Sequence, residues 1–334
     1  MRLLKLLLST ALLAGLLMIV VMFVFAIRPL ELRTTPLEFN ISLGVGLRSA
    51  SKAMAQSGID FAPWQFSLLG RMLGKDSNIK AGSYEIDAGV TPLQLLDKLT
   101  LGDVSQGEIV FIEGKRFGQL RAALDAYPFV RHDTAGLSDG QILTLVGASE
   151  IYPEGLFAPD TYLFSKNSSD VDILRRAYHS MQQRLVQEWA KRDAKLPYSR
   201  PYDALIMASI VEKETGIVAD RPQVAAVFLN RLRSGMPLQT DPTVIYGLGE
   251  QFDGNLRRRD LQTDTPYNSY TRLGLPPTPI AMPGIASLRA VLNPPATDKY
   301  YFVARGDGSS EFSRTLEEHN RAVARYQKHT GTPG

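Results

Sequence analysis

Glu212-Lys213-Glu214-Thr215 closes an apolar run, and a carboxyl placed there can move protons. The run, Leu205-Ile206-Met207-Ala208-Ser209-Ile210-Val211, reads as a helix that is apolar nearly all round and therefore central and buried. Glu214 follows Ile210 by four residues and Met207 by seven, so it continues an apolar stripe of that helix. Two effects then raise its pKa. Partial burial disfavours the carboxylate, and the negative end of the helix dipole opposes a negative charge in the last turn. A carboxyl held protonated near neutral pH is the general acid that glycoside cleavage requires. Glu212 points along another face, where it can pair with a basic neighbour. By themselves the same residues also fit ordinary solvated charges at a helix end.

The elements that must position this acid are legible around it. A long helix opens at Ser169 or Asp170 and carries the stripe Ile173, Leu174, Ala177, Met181, Leu185 and Trp189. The central helix runs from about Tyr202 to Thr215 with Gly216 as its stop. The next begins at Asp220 as N-cap and shows Val224, Val227, Phe228 and Leu232. Proline is dense from Pro237 to Pro295, which predicts shaped loops and short strands instead of long helices. Tyr300 to Ala304 reads as a strand and Leu316 to Tyr326 as a closing helix. The stretch from Ser138 to Ser165 reads as a loop-rich junction.

Towards the N-terminus a strand, a glycine turn and an amphipathic helix recur three times. The copies start at Phe39-Asn40-Ile41 with Gly44, at Tyr84-Glu85-Ile86 with Gly89, and at Val110-Phe111-Ile112 with Gly114. An extra helix over Pro63 to Leu73 separates the first two. Those two copies resemble a LysM module, a small βααβ unit that binds N-acetylglucosamine-containing glycans, although the inserted helix is not typical. A plain α+β support domain is the other reading. Before them, Leu6 to Ile27 is uncharged and covers roughly 33 Å as a helix, enough for a ~30 Å hydrocarbon core. Arg2 and Lys5 precede it and predict a cytoplasmic N-terminus with the rest outside. A cleaved signal peptide is the other reading, with Val24-Phe25-Ala26 as a small-residue cleavage site, but its apolar region would be shorter. A short polar linker, Arg28 to Thr35, is expected next.

Composition narrows the classes further. The 334-residue chain is 44% hydrophobic and 21% charged, with a net charge of only +3. No basic stripe calls for a nucleic-acid partner. With no cysteine, disulfides and thiolate zinc sites are excluded. His132, His179, His319 and His329 show no metal-ligand spacing, so no metal and no cofactor are expected.

The words around Glu214 carry a family resemblance. Ala208-Ser209-Ile210-Val211-Glu212-Lys213-Glu214-Thr215 is followed by Val227-Phe228-Leu229-Asn230-Arg231-Leu232. Then come Leu238-Gln239-Thr240-Asp241-Pro242-Thr243-Val244-Ile245-Tyr246-Gly247, Thr265-Pro266-Tyr267-Asn268-Ser269-Tyr270 and Gly274-Leu275-Pro276-Pro277-Thr278-Pro279-Ile280. In this order they resemble the YceG-like (MltG) family of endolytic murein transglycosylases, over nearly the whole chain. The resemblance implies Glu214 as the catalytic acid and cleavage of the β-1,4 bond between N-acetylmuramic acid and N-acetylglucosamine, leaving a 1,6-anhydro end. It implies peptidoglycan glycan strands and the membrane as partners, with peptidoglycan synthases beside them. One departure is the run Gly308-Ser309-Ser310-Glu311-Phe312, which lacks a histidine that many family members show there.

The expected fold is α+β: residues 1–28 as cytoplasmic tip and transmembrane anchor, 29–105 as linker and LysM-like βααβ subdomain, 106–150 as a strand–helix connection, and 151–330 as a mixed α+β catalytic domain in the periplasm. Gln239, Asp241, Tyr246, Tyr267, Asn268 and Tyr270 are the candidate sugar-binding residues, since amides and carboxylates bond hydroxyls and tyrosines offer flat faces with a polar tip. Loop packing explains the 267–270 run equally well, and Asp241 before Pro242 can simply begin a turn. Two rivals remain. Ser49-x-x-Lys52 and Ser77-x-x-Lys80 fit the S-x-x-K word of serine acyl-enzymes, but the S-D-N and K-T-G words are absent. A non-catalytic, membrane-anchored peptidoglycan-binding scaffold would release no anhydro product.

Overall fold

The structure, a computed structural model, describes residues 2–42, 44–104 and 106–326, with the side chains of residues 2–7 and 11 left out. Met1, His329, the last residues of the expected catalytic region, and the side chains of Arg2 and Lys5 therefore lie outside the described residues. The chain forms two units, Met1–Glu108 with Leu163–Ser168, and Ile109–Tyr162 with Ser169–Gly334.

The first unit contains α1 (Arg2–Ile27), β1 (Glu31–Leu32), β2 (Leu37–Ile41), α2 (Leu47–Ser57), β3 (Ile59–Asp60), α3 (Pro63–Met72), β4 (Gly82–Ile86) and α4 (Pro92–Leu101). Leu8–Ile27 of α1 is long and apolar enough to cross a membrane, with a mean hydropathy of 2.8. In β2 the alternation puts Leu37, Phe39 and Ile41 inside. This strand pairs antiparallel with β4, and Phe39 stacks on its register partner Tyr84 with ring centroids 5.6 Å apart. Between these two strands the chain makes α2, the two-residue strand β3 and α3, so the order is β-α-β-α-β. Gly70 lets α3 approach α2, because a Cβ there would stand 2.2 Å from Leu47 Cδ2. Thr91 and Gln94 form a reciprocal cap on α4, and Gly102 ends it in the left-handed region.

The expected polar linker is not free chain. Leu30 is buried, its N–H donates to Val90 O (2.8 Å), Arg33 N–H donates to Gly58 O (3.0 Å), and β1 pairs with β3. Backbone pairing and burial of Leu30 outweigh the polar composition. Met22 and Ala26 of α1 belong to the same core as Phe66, Leu69, Leu95 and Leu96.

The chain passes into the second unit within β5 (Gln106–Phe111). There follow α5 (Phe117–Asp125), β6 (Val130–Arg131), α6 (Asp139–Val146), β7 (Asp160–Ser165), β8 (Ser168–Ser169), α7 (Asp170–Ala190), α8 (Pro201–Glu214), α9 (Arg221–Arg233), α10 (Asp241–Leu248), α11 (Arg258–Gln262), α12 (Ile285–Leu292), β9 (Tyr301–Ala304), β10 (Ser310–Ser313) and α13 (Leu316–Tyr326). The core centres on α8, buried from Ala204 to Val211 and packed by α7, α9 and α12. On α7 the stripe from Ile173 to Leu185 is buried and Ser169 caps the helix, as the periodicity predicts. Trp189 at its end is only half-buried. Antiparallel β9 and β10 form a hairpin against which α13 packs.

Several local expectations are corrected. The Ser138–Ser165 stretch holds α6, opened by a Ser138/Gln141 capping box, as well as β7. The proline-dense region makes short helices, α10 to α12, and no strand among its described residues. Pro242 sits in the first turn of α10, where a missing N–H costs nothing, and the other prolines there lie outside the helices. Gly216 does not stop α8; Thr215 does, by turning extended (φ −139°, ψ 130°). Asp220 precedes α9 in a helical conformation without a capping bond.

Candidate active site

α8 delivers Glu214 at its last residue, half-buried, at the edge of a cleft of about 500 Å³ in the second unit. Gln239, Asp241 and Tyr270 line the same cleft. Thr240 Oγ1 donates a short hydrogen bond to Glu214 Oε1. Burial pushes the Glu214 carboxyl up to about 7; the Thr240 bond opposes the rise, Asp241 adds to it, and Arg231 opposes it.

The segment that brings Thr240 to Glu214 is tightly fixed. Gln239 holds the left-handed region (φ 52°), uncommon for a residue with a side chain, and its N–H donates to Ser269 O (3.0 Å). Thr240 N–H donates to Ser269 Oγ (3.0 Å), and the Ser269 and Thr243 hydroxyls bond each other (2.8 Å). Asp241 Oδ1 accepts from Tyr270 O–H (2.5 Å). Burial and Asp241 push the Tyr270 phenol up, so it stays a neutral donor.

Arg231, on α9, is nearly buried. Its Nε donates to Tyr300 O (2.7 Å) and its Nη1 to Leu238 O (2.8 Å), and its guanidinium lies 5.1 Å from the Tyr301 ring centre. His319 of α13 stacks on the other partner of that pair, Tyr301, at 5.4 Å, and lines the cleft together with Ser310. Ser310 falls in the run Gly308–Phe312 that holds no histidine, and the imidazole lining the cleft is that of His319.

The other candidates go elsewhere. Tyr246 and Tyr267 meet edge to face at 4.8 Å, away from the residues lining the cleft. Tyr246 O–H donates to Glu154 Oε2 (3.2 Å), Phe117 N–H donates to Glu154 Oε1 (3.0 Å), and Arg116 lies over the Tyr246 ring at 4.9 Å. Burial pushes Glu154 up to about 7 as well, against the bonds from Phe117 and Tyr246. Asn268 is fully buried. Its amide donates to Asp260 O, Leu261 O and Thr263 O (3.2, 3.1 and 2.7 Å), and its Oδ1 accepts from Tyr270 N–H (2.9 Å). It therefore holds the loop that presents Tyr270.

Glu212 has a different environment from Glu214. It takes a bidentate ion pair from buried Arg221 (3.1 and 2.8 Å), Gly284 N–H (2.9 Å) and Ser287 O–H (2.8 Å). All its oxygens are engaged, so it clamps α8 to α9 and α12. Thr240, Arg231, His319 and Glu154 were not among the residues singled out from sequence. Arg231 had a signal, a charged residue inside the largely apolar Val227–Leu232 word. No cluster of His, Cys, Asp or Glu able to hold a metal ion occurs among the described residues.

A model of the YceG-like family matches residues 39–325. The chain is 31% identical over 309 residues to an endolytic murein transglycosylase from Bacillus subtilis (strain 168), covering 87% of this chain and 85% of that protein. It is 30% identical over 178 residues to an endolytic murein transglycosylase from Streptococcus pneumoniae (strain D39), over 52% of this chain and 32% of that one. A crystal structure of a yceG-like protein, lmo1499, from Listeria monocytogenes superposes with a TM-score of 0.54 at 29% identity, covering 86% of this chain and 99% of the other.

Proposed function

The chain belongs to the YceG-like family, and from that premise we propose that it is a lytic transglycosylase that cuts peptidoglycan within nascent glycan strands and so helps end their elongation. The bond cut is the β-1,4 link from N-acetylmuramic acid to N-acetylglucosamine. The observation that carries this reading is the Glu214 carboxyl, raised to about 7 at the wall of an open polar cleft. At neutral pH both its protonated and ionised forms are populated, as a group that must give and then take a proton requires.

The reaction needs only that group. Thr240 holds Oε1, and Oε2 carries the proton to the glycosidic oxygen. The C1–O bond breaks with the electron pair leaving on that oxygen. The muramic acid 6-hydroxyl attacks C1, and its proton returns to Glu214. No water enters, and the ring closes as a 1,6-anhydro end. The Thr240 bond and the Arg231 charge favour the carboxylate formed midway. Asp241 also lines the cleft, so a second carboxylate is present. Its bond from Tyr270 engages one of its oxygens, and we assign the pair to sugar contacts along with Gln239.

The same reading places the chain in the cytoplasmic membrane through α1, with everything after about Arg28 outside, glycan binding in the LysM-like part, and peptidoglycan synthases as neighbours. A C-terminal reporter is expected to be active only outside the cytoplasm. The function is tested by mass spectrometry of purified peptidoglycan treated with the detergent-solubilised chain. Anhydro-ended fragments support it, reducing ends indicate hydrolysis by two carboxylates, and no fragments indicate a non-catalytic scaffold.

A further inference from the structure

The helix α3 has two faces. Phe66, Ser67, Leu69 and Gly70 are buried in the core of the first unit. Trp64 and Met72 stand on the outer side two turns apart, Leu68 between them is partly buried against the core, and Leu73 follows. Trp64 is 57% exposed, Met72 50% and Leu73 45%.

This outer side stands beside the end of the apolar helix. α1 packs on α3 and α4, and Met22 and Ala26 are buried in the core that also holds Phe66 and Leu69. Phe25 and Arg28 share a crevice with Phe61 and Gln65, so the first turn of α3 lies next to the last turn of α1. The 20-residue span Leu8–Ile27 measures about 30 Å, the thickness of a bilayer core. With Ile27 at one edge, Met22 sits roughly 7–8 Å inside it. The groups that bury Met22 must then reach the same depth. Sliding α1 outward instead would draw Lys5 into the opposite edge.

We propose that the Trp64–Met72 face of α3 docks in the boundary between headgroups and acyl chains of the bilayer that α1 crosses. This rests on the reading of α1 as a membrane anchor. Interfacial helices bury their apolar side about 5–10 Å into that boundary, which matches the depth that Met22 sets. Tryptophan is the side chain enriched at this level, and exposed Arg71 on the same helix suits anionic headgroups. The first unit then lies on the membrane in a fixed attitude instead of hanging from a tether.

The test uses the full chain reconstituted in phosphatidylethanolamine/phosphatidylglycerol vesicles whose lipids carry bromine either high or low in the acyl chain. Trp64 and Trp189 are the chain's two tryptophans, so the wild-type emission minus that of Trp64→Phe isolates Trp64. The expected result is a blue-shifted Trp64 signal that loses intensity with high bromines and less with low ones. Met72→Glu is expected to reduce that quenching while the chain still floats with the vesicles. A Trp64 signal that is unquenched and red-shifted in a chain that does float overturns the docking alone. A chain that does not float overturns the anchor reading and the docking with it.

Discussion

Replacing Glu214 by glutamine gives a stability change whose sign depends on pH. The carboxyl rises from an ordinary 4.5 to about 7 on folding, chiefly through burial. A raised acid binds its proton more tightly in the folded state. Its protonation stabilises the fold fully below about pH 4.5, and that contribution is lost as pH rises through 7. At 1.36 kcal/mol per pKa unit, keeping the ionised carboxyl costs roughly 3 kcal/mol above pH 8. Glutamine keeps the volume and can still accept from Thr240 without that charge. Glu214→Gln should therefore match wild type near pH 4.5 and exceed it by up to roughly 3 kcal/mol at pH 8–9. For domains of about 150–250 residues this corresponds to several degrees in Tm, at roughly 2–4 °C per kcal/mol. The assay is thermal or urea unfolding of both proteins from pH 4.5 to 9. Activity should fall by roughly 10²–10⁴-fold or more in the variant at every pH. A stability difference that does not change with pH, or a variant that is less stable at pH 8, would refute the reasoning.

Other substitutions separate the roles of neighbouring residues. Glu212→Gln leaves Arg221, only 5% exposed, without its full counter-charge, and should cost about 3–5 kcal/mol in denaturant melts. The lower figure is favoured because Glu113 stands 3.6 Å from the same guanidinium. Thr240→Val removes the bond that lowers the Glu214 pKa, so the alkaline limb of the activity profile should move up by on the order of half to one pH unit. Asn268→Ala strips three carbonyls and one N–H of their partner and should lower stability by about 2 kcal/mol or more, measured by urea unfolding.

The three strand–glycine–helix copies were legible because alternation and glycine are local signals. Gly44, Gly89 and Gly114 all adopt positive φ, a conformation glycine takes without a steric penalty. The helix α6 was missed although its Ser138/Gln141 box was written in the sequence; the surrounding glycine and proline words outweighed it. The place of Glu214 at the end of a buried apolar helix is again a local property, whereas its role as catalytic acid is what the family resemblance implies. The rest of the cleft was not local. Tyr246 and Asp241 lie on the same short helix, yet Asp241 lines the cleft while Tyr246 bonds Glu154. Five residues of helix turn the side chain about 500°, and no nearby word says which way a helix that short is rolled. Arg231 and His319 join Glu214 only through the packing of α9 and α13 on the β9–β10 hairpin.

The central claim is that Glu214 alone moves the proton and that no water enters the product. Digestion of peptidoglycan in ¹⁸O-enriched water, followed by mass spectrometry of the released fragments, tests it directly. The account predicts anhydro-ended fragments without heavy oxygen from the wild-type chain, and their loss with folded Glu214→Gln. Reducing ends carrying ¹⁸O, or undiminished anhydro fragments from Glu214→Gln, would contradict it.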